Sequence, residues 1–564
     1  INIMSTITSS IKTMPKSALI LFAVFLLIYL LPGIYGHSPW KQDENYSFGI
    51  IQTMYETGNW LVPTNAGEPF MEKPPFYYWT ATVFSHLLSG VMPLYDAARS
   101  ASLFFSIINF SFFILLARRF FKSDSFSDAR IWTTFALYIC APGILRHTHE
   151  MFTDVSLMTG ATIGLYGLLG LIQQQKITAS AFWLCLGTII TTLSKGVFIP
   201  GVLWISLFLA PVFLIQCRSK QFWLPALFAG LVALIAILPW PVMLYVQHPE
   251  LFVTWFWENN IGRFLGFSVE KLGAKANFTR IPSAVAFFAL PAGLLATAYL
   301  LRHPLRRLRD HNEYLIAIFP VLGVVFLQMS ASGRALYLLP FIAPMALLAV
   351  QALDWFSEKV LNAFARFAAF FWSGVILFLW VCYAIVLTGH HAQWLPVFGR
   401  WLPLDYQMHF SVFALIAGIF ITCFWFFRNH LISSSSSAFQ AIRNWSLGMV
   451  SVWSIILTLF VGWIDYSKGY EGVFLDLRHH LEGQFTQHDC MASENLGESE
   501  APMLYYYTGI LHQRQMEFEK PQQCRWLIVL SKEVQPAPEG MELFWSNHRP
   551  DEFRENLVVY RVIE

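Results

Sequence analysis

WKQDENYSFGIIQTMYETGNWLVPTNAGEPFMEKPPFYYW, residues 40–79, is a polar and aromatic segment in an otherwise apolar chain. It follows an apolar run at 17–35 and precedes a long series of further apolar runs. Yet it opens on Asp43-Glu44 and closes on Glu72-Lys73 locked before Pro74-Pro75, groups that hydrocarbon rejects. Such a segment belongs at the surface of a membrane, with its aromatic residues at headgroup depth.

Composition agrees. Of 564 residues, 56% are hydrophobic and only 13% charged, with 52 Phe and 21 Trp. A soluble chain carries roughly a quarter charged residues. The shortfall predicts an α-helical polytopic membrane protein. Net charge is +2, and no basic stripe supports a nucleic-acid partner. Five of the seven cysteines fall in or at the ends of apolar runs, where Cys acts as a small hydrophobe. Cys490 and Cys524 lie in the polar tail, free or paired; an oxidising compartment would preserve a bridge between them. The run at 17–35 follows Lys12 and Lys16. Its length and the lack of a small-x-small cleavage site predict an uncleaved anchor.

Spanning runs occur near 17–35, 96–117, 129–146, 151–173, 178–194, 197–216, 222–245, 283–301, 313–330, 335–354, 364–388, 409–427 and 446–463. That is about thirteen transmembrane helices. A further stretch, 76–92, is interrupted by Ser85, His86, Ser89 and Gly90. If it lies along the interface and the N-terminus is cytoplasmic, the basic groups Arg118-Arg119-Lys122, Lys176, Arg218-Lys220, Arg302-Arg306-Arg307-Arg309, Lys359-Arg366 and Arg428-Arg443 all fall inside. If it crosses, every later loop flips and the positive-inside bias is violated. The expectation is therefore an interfacial helix, with Tyr77, Tyr78 and Trp79 at headgroup depth. The first outer loop, 36–95, then shares one face with 146–154, 193–196, 247–281, 330–337, 389–408 and everything after Asp465.

Residues 1–465 read as the transmembrane part and 466–564 as a small soluble α/β domain on the outer face. The tail has strand-like pieces (CRWLIVLSK, ENLVVYRVI) and a helix-like one over Asp476–Gln487. The Ser433–Ser437 run reads as a flexible linker. No internal repeat is found, which weighs against repeat-built transporters.

The polar residues of catalytic type collect on that outer face. An isolated carboxylate beside a first span is usually only solvated. Asp43 and Glu44, followed by an aromatic interfacial segment, suit a site acting on a lipid-linked sugar, where a carboxylate orients or deprotonates the acceptor. Lys73, Lys195, Arg263 and Arg334 come from separate loops. Each alone suits a snorkelling residue; together they suit neutralisation of a departing lipid phosphate. Tyr337 adds a hydroxyl donor. Asp154, close to an apolar run, is a costly acid that needs a partner, Lys73 or Lys195. His147, His149 and Glu150 tempt a metal reading. No second His-rich segment completes a ligand set, so they read as headgroup-level polar residues.

The order WKQDEN, EKPPFYYW, FTDVSLM, LSKG, WENNIGRF with FFALP, and SASGRALYLLPFIAPMALL resembles the dolichyl-phosphate-mannose protein mannosyltransferase-like superfamily. Within it, the chain most resembles the bacterial lipid A aminoarabinose transferases. The resemblance implies a GT-C fold, a periplasmic C-terminal domain and an undecaprenyl-phosphate-linked sugar donor. It assigns catalytic roles to Asp43 and Asp154, with Glu44 beside them, and phosphate or substrate binding to Glu72, Lys73, Lys195, Arg263 and Tyr337. Arg334 stands where the family has a lysine, in a shortened turn. Asn260 stands where the family has histidine, so a divalent metal shared with Glu72 is in doubt; a divalent metal is the one cofactor left open, with Glu72, His147 and His149 as its candidate ligands.

These readings converge on an inverting membrane glycosyltransferase. It would move a sugar, 4-amino-4-deoxy-L-arabinose, from undecaprenyl phosphate to lipid A at the periplasmic face of a bacterial inner membrane, as a monomer among membrane lipids. The alternatives are the same catalyst with a protein or glycan acceptor, and a lipid-linked sugar transporter. A transporter would place its ionisable residues near the bilayer midplane.

Overall fold

A computed structural model describes residues 18–41, 43–272, 277–303, 309–432, 434, 436–486, 488–514, 524–550 and 552–563. Lys12, Lys16, Arg306 and Arg307 of the charge argument, together with Ser433, Ser435 and Gln487, lie outside the described residues.

The chain opens with α1 (Ala18–Leu30), α2 (Asp43–Thr57), the short hairpin β1 (Thr64–Asn65) and β2 (Glu68–Pro69), and α3 (Phe76–Leu88). Then come α4 (Leu94–Phe120), α5 (Ala129–Ile139), α6 (Pro142–His147), α7 (Thr153–Ile172), α8 (Ile177–Lys195) and α9 (Phe198–Phe213). Among the described residues eight helices are long and apolar enough to cross a membrane, including α4, α7 and α8. The pair Arg280–Phe288 and Ala292–Arg302, bent by 110° around Pro291, makes up to nine. The other expected runs are shorter or broken helices. α9 and Glu313–Met329 fall below the spanning length, and the run at 129–146 breaks at Pro142, which lacks an N–H for the helical ladder.

α3 is too short to cross a membrane as it stands. Its 13 residues extend about 20 Å, against a hydrocarbon core of about 30 Å. Val83 and Leu87 point outward, and Tyr77, Tyr78, Ala81, Thr82 and Ser85 point inward. The expectation of headgroup-level tyrosines needs correcting. Tyr77 and Tyr78 are fully buried, because they fall on the face that packs on α4, and the Tyr77 hydroxyl pairs with Ser102 Oγ at 2.6 Å.

α7 and α8 form an antiparallel hairpin whose backbones touch. Gly160, Gly164 and Gly167 on α7 face Ile190, Gly187 and Leu184 on α8, and a Cβ at Gly187 would run into the backbone of Gly164. Small residues at such spacing allow close approach in a membrane, where dispersion replaces the hydrophobic drive. The hairpin brings the first turn of α7, with Asp154, against the last residue of α8, Lys195.

At the C-terminal end, β3 (Met491–Glu494), β4 (His512–Arg514), β5 (Trp526–Ser531), β6 (Met541–Asn547) and β7 (Asn556–Val562) form one sheet in the order β4-β3-β5-β7-β6. β3 is parallel to β4 and β5; β7 is antiparallel to β5 and β6. The helix Glu471–Leu481 packs on it, ending earlier than the expected 487. Cys490 and Cys524 are joined by a disulfide. Salt bridges tie this part to the first loop: Lys41 to Glu500 (2.8 Å) and Glu555 (2.6 Å), and Arg514 to Glu68 (2.7 Å).

Candidate active site

Three polar couples converge where the α7–α8 hairpin, the first loop and the turn at 330–337 meet. Lys195 Nζ lies 2.5 and 2.6 Å from the two oxygens of Asp154, which is wholly buried. Gly196 ends α8 with φ +88°, a conformation that disfavours side chains, and a Cβ there would collide with Asn260. That glycine lets the 254–265 segment close over Lys195. The Lys195 ammonium also lies 4.2 Å from the Tyr337 ring centroid.

Arg263 comes from the segment brought in this way. Its Nη1 donates to Glu72 Oε1 at 2.6 Å. Ser332 Oγ donates to Arg263 O at 3.2 Å and Ala331 N to Phe264 O at 3.1 Å, so the 330–337 turn is tied to the arginine. Burial pushes the Glu72 carboxyl up, but the charges of Lys73 and Arg263 outweigh it and hold the group at about 2. Burial alone would lower Lys73; the adjacent Glu72 charge wins and raises it.

Lys73 reaches the third couple. Its ammonium donates to the Tyr46 hydroxyl, which donates to Asp43 Oδ1 at 2.7 Å. Tyr46 is buried and stacked on Phe70 at 5.0 Å. Asp43 and Tyr46 sit three apart on α2 and so share a face.

Two cavities meet at this chain of contacts. One is lined by Glu72, Lys73, Lys195, Arg263 and Tyr337, the other by Trp40, Lys41, Asp43, Arg146, Glu150 and Lys468. Asp43 and Lys73 therefore face different cavities and are joined through Tyr46. Arg334, half-buried, makes no ion pair among the described residues; its carbonyl accepts from Tyr337 N at 3.1 Å, in the turn between Ser332 and Tyr337, which line the first cavity.

Glu44 borders the same cavity as Asp43, and protein groups take up both its oxygens. Oε1 accepts from Arg99 Nε (3.0 Å) and Met151 N (2.9 Å), and Oε2 from Trp40 N (3.0 Å). With Arg99 wholly buried and bound also to Asp96 at 2.8 Å, Glu44 braces the loop that carries Asp43. The metal candidates do not come together. His147 Nδ1 pairs with Glu150 at 2.5 Å, the ring nitrogens of His149 meet Leu145 O (2.9 Å) and Tyr29 O (2.6 Å), and Glu72 is held by Arg263. Asn260 Nδ2 donates to Trp255 O at 2.8 Å. These residues do not fit a metal shared by Glu72 and position 260. Among the described residues no group of three or more His, Cys, Asp or Glu side chains is placed to hold a metal.

Sequence reading missed Tyr46 and Glu498. The spacing of Tyr46 from Asp43 on a helix was an available signal. Glu498 had none, because only the folded tail brings it near. Its backbone carbonyl accepts from Asn65 Nδ2 at 2.9 Å. Although Glu498 is exposed, its carboxyl is raised, first by partial desolvation and then by the charge of Glu72.

No family model matches the chain. ArnT from Cupriavidus metallidurans, crystallised bound to undecaprenyl phosphate, superposes with a TM-score of 0.66 at 16% identity, covering 97% of this chain and 98% of that one. The fold is the GT-C fold of ArnT. The apo ArnT structure agrees, with a TM-score of 0.63 over 96% of this chain. In sequence the chain is similar to the undecaprenyl phosphate-alpha-4-amino-4-deoxy-L-arabinose arabinosyl transferase of Pseudomonas savastanoi pv. phaseolicola, 28% identical over 349 residues. The match spans 60% of this chain and 61% of that relative. The second such transferase of Pseudomonas fluorescens (strain Pf0-1) is also 28% identical, over 59% of both chains. The resemblance read in the residues is borne out by these relatives.

Proposed function

We propose that the chain is an inverting glycosyltransferase that moves 4-amino-4-deoxy-L-arabinose from an undecaprenyl-phosphate carrier to lipid A at the periplasmic face of the inner membrane. The observation that carries this reading is the placement of Lys73, Lys195, Arg263 and Tyr337 around one cavity, with Asp43 joined to it through Tyr46 but facing a second. Two substrates can then approach from opposite sides of one wall. The names of the similar transferases supply the sugar and the carrier.

The acceptor oxygen attacks the anomeric carbon, and the bond from that carbon to the carrier phosphate breaks with its electrons leaving on phosphate. Lys73 and Arg334 offset the growing phosphate charge, and Tyr337 donates a hydrogen bond. Glu72 and Asp154 hold Arg263 and Lys195 in position. Asp43 orients the acceptor or takes its proton. A phosphate monoester sheds its second proton near pH 6 and has little need of a base; a hydroxyl acceptor would depend on Asp43 more. The N-terminus is then cytoplasmic, and residues 466–564 form a periplasmic domain of a monomeric enzyme.

Purified full-length protein incubated with undecaprenyl-phosphate-aminoarabinose and lipid A tests this by mass spectrometry. We expect the mass gain of one aminoarabinose, abolished in Asp43→Ala and Lys73→Ala. Product only from another sugar or a protein acceptor would overturn the substrates. Full activity in both variants would overturn the site.

A further inference from the structure

The cavity that Asp43 faces, about 360 Å³, is lined by several charged side chains, and most of them are already answered by the protein. Lys41 is engaged by Glu500 and Glu555, and Glu44 by Arg99. Glu150 is held by His147 at 2.5 Å and by Arg146 Nε at 3.0 Å, and Asp43 accepts from Tyr46. Two cations keep free donors. Lys468, exposed at the end of the helix Val461–Lys468, makes no ion pair among the described residues. Arg146 donates through Nε alone; its side chain is 67% exposed, and no described residue accepts from its two terminal nitrogens. Either one alone on an open surface would be an ordinary solvated charge. Here both border one cavity, beside a carboxylate of the candidate active site.

The remaining wall of that cavity is apolar. Trp453, Ile456 and Leu457 lie in the last two turns of the helix Ser437–Leu459, which is long and apolar enough to cross a membrane, and Ile464 follows them. The wall thus passes from apolar to cationic as the chain leaves that span and reaches Lys468. A soluble phosphate would leave the apolar part unused. A protein hydroxyl would leave both cations unused. A molecule that joins a phosphate to hydrocarbon uses both. Two cations also suit the nearly two charges of a phosphate monoester better than the single charge of a diester, and they offset the repulsion that Asp43 exerts on any anion.

We propose that Arg146 and Lys468 form the subsite for the acceptor's phosphate, a monoester carried on a lipid anchor whose hydrocarbon lies against Trp453, Ile456 and Leu457. Arginine offers a planar fork to phosphate oxygens, and lysine a point charge. The subsite deepens the transfer reading above and rests on it for the word acceptor; the binding it describes does not.

The test therefore reads binding and transfer separately. Full-length protein in detergent is mixed with lipid A, with lipid A dephosphorylated by a phosphatase, or with dioleoylphosphatidylglycerol, and retained lipid is measured by native mass spectrometry. We expect lipid A to be held at least about tenfold more tightly than either of the others, as for lost charge-assisted contacts, and equimolar inorganic phosphate not to displace it. Lys468→Gln and Arg146→Gln should each remove much of this preference, and Lys468→Arg should keep it. Lys468→Glu strands no partner, so it should fold as wild type and lose the preference as well. In turnover, the same variants should raise the KM for lipid A and leave the KM for the lipid-linked donor unchanged. Lipid A that binds with this preference and receives no sugar would overturn the transfer reading and leave the subsite standing. Equal retention of lipid A and its dephosphorylated form, equal retention of phosphatidylglycerol, displacement by phosphate, or an undiminished preference in Lys468→Glu would overturn the subsite, whatever the turnover.

Discussion

Asp43 and Lys73 are joined by one hydroxyl: Tyr46 donates to the carboxylate at 2.7 Å and accepts from the ammonium. The two charges face separate cavities, so this hydroxyl is where occupancy on one side can be felt on the other. Tyr46→Phe keeps the stacking on Phe70 and removes only the link. We expect kcat/KM to fall about 10- to 30-fold, roughly 1.4–2 kcal/mol of transition-state stabilisation. Thermal stability should change little. Steady-state kinetics with both substrates varied checks this, and an unchanged kcat/KM would remove Tyr46 from the mechanism.

The Asp154–Lys195 pair leads to a different expectation. Asp154 is wholly buried, so removing one partner strands the other's charge out of water. Breaking a buried pair typically costs about 3–5 kcal/mol. Asp154→Asn should lower the unfolding temperature markedly and reduce activity. Asp154→Asn/Lys195→Met should recover much of the stability and none of the activity. Thermal unfolding and turnover, measured on both variants, separate bracing from chemistry.

Arg334 carries a charge with no ion pair among the described residues, in the turn between Ser332 and Tyr337, which line the first cavity. Arg334→Ala should therefore cost little stability, with a midpoint within about 2 °C of wild type, as for most substitutions that strand no partner. Its kcat/KM for the lipid-linked donor should fall about tenfold or more, as expected for lost charge-assisted contacts to phosphate. Arg334→Lys, which matches the resembled family, should recover most of that loss. A donor titration at saturating acceptor reads the effect directly.

The pH dependence follows from Glu72. Its carboxyl is depressed from 4.5 to about 2 in the folded protein. A depressed carboxyl contributes stability that is complete above the unfolded value and is lost as pH falls through the folded one. The Glu72 contribution should thus be flat between pH 6 and 8 and decline below about 4.5. Glu72→Gln should show a shallower acid decline than wild type in unfolding temperature measured from pH 3 to 7. Parallel curves would mean that the Glu72–Arg263 pair contributes nothing to the folded state.

Much of this arrangement was legible because membrane chemistry leaves charged residues few places to go. Asp154 at the entry to a span, Lys195 in a short turn, Glu72 in the first outer loop and Arg263 in the 247–281 loop stood out as charges on one face, and they meet in two pairs. Glu44 borders the same cavity as Asp43, but its engagement with Arg99, Met151 and Trp40 could not be read locally. Its partner Arg99 lies inside α4, where a sequence reader expects only lipid-compatible groups. Tyr77 and Tyr78 misled because an interfacial helix has a protein-facing side as well as a headgroup-facing one. The reach of Glu498 toward the site depends on how the tail docks, which no local pattern encodes.

The disulfide bears on that docking. Cys490 and Cys524 are 34 residues apart, and the loop they close carries β3, Glu498 and Glu500. Glu500 holds Lys41, two residues before Asp43, at 2.8 Å. Closing a loop of this length stabilises a folded unit by about 3–4 kcal/mol on the chain-entropy account. Cys490→Ala/Cys524→Ala should therefore speed proteolysis within 490–524 while leaving the spanning helices intact. Because the Lys41 clamp is partly exposed and worth only about 1 kcal/mol, kcat/KM should fall no more than about fivefold. Dithiothreitol should reproduce both changes in wild type and add nothing in the double variant. A larger loss on reduction would mean that the tail does more than brace the loop, and that Glu498 acts on the substrate itself.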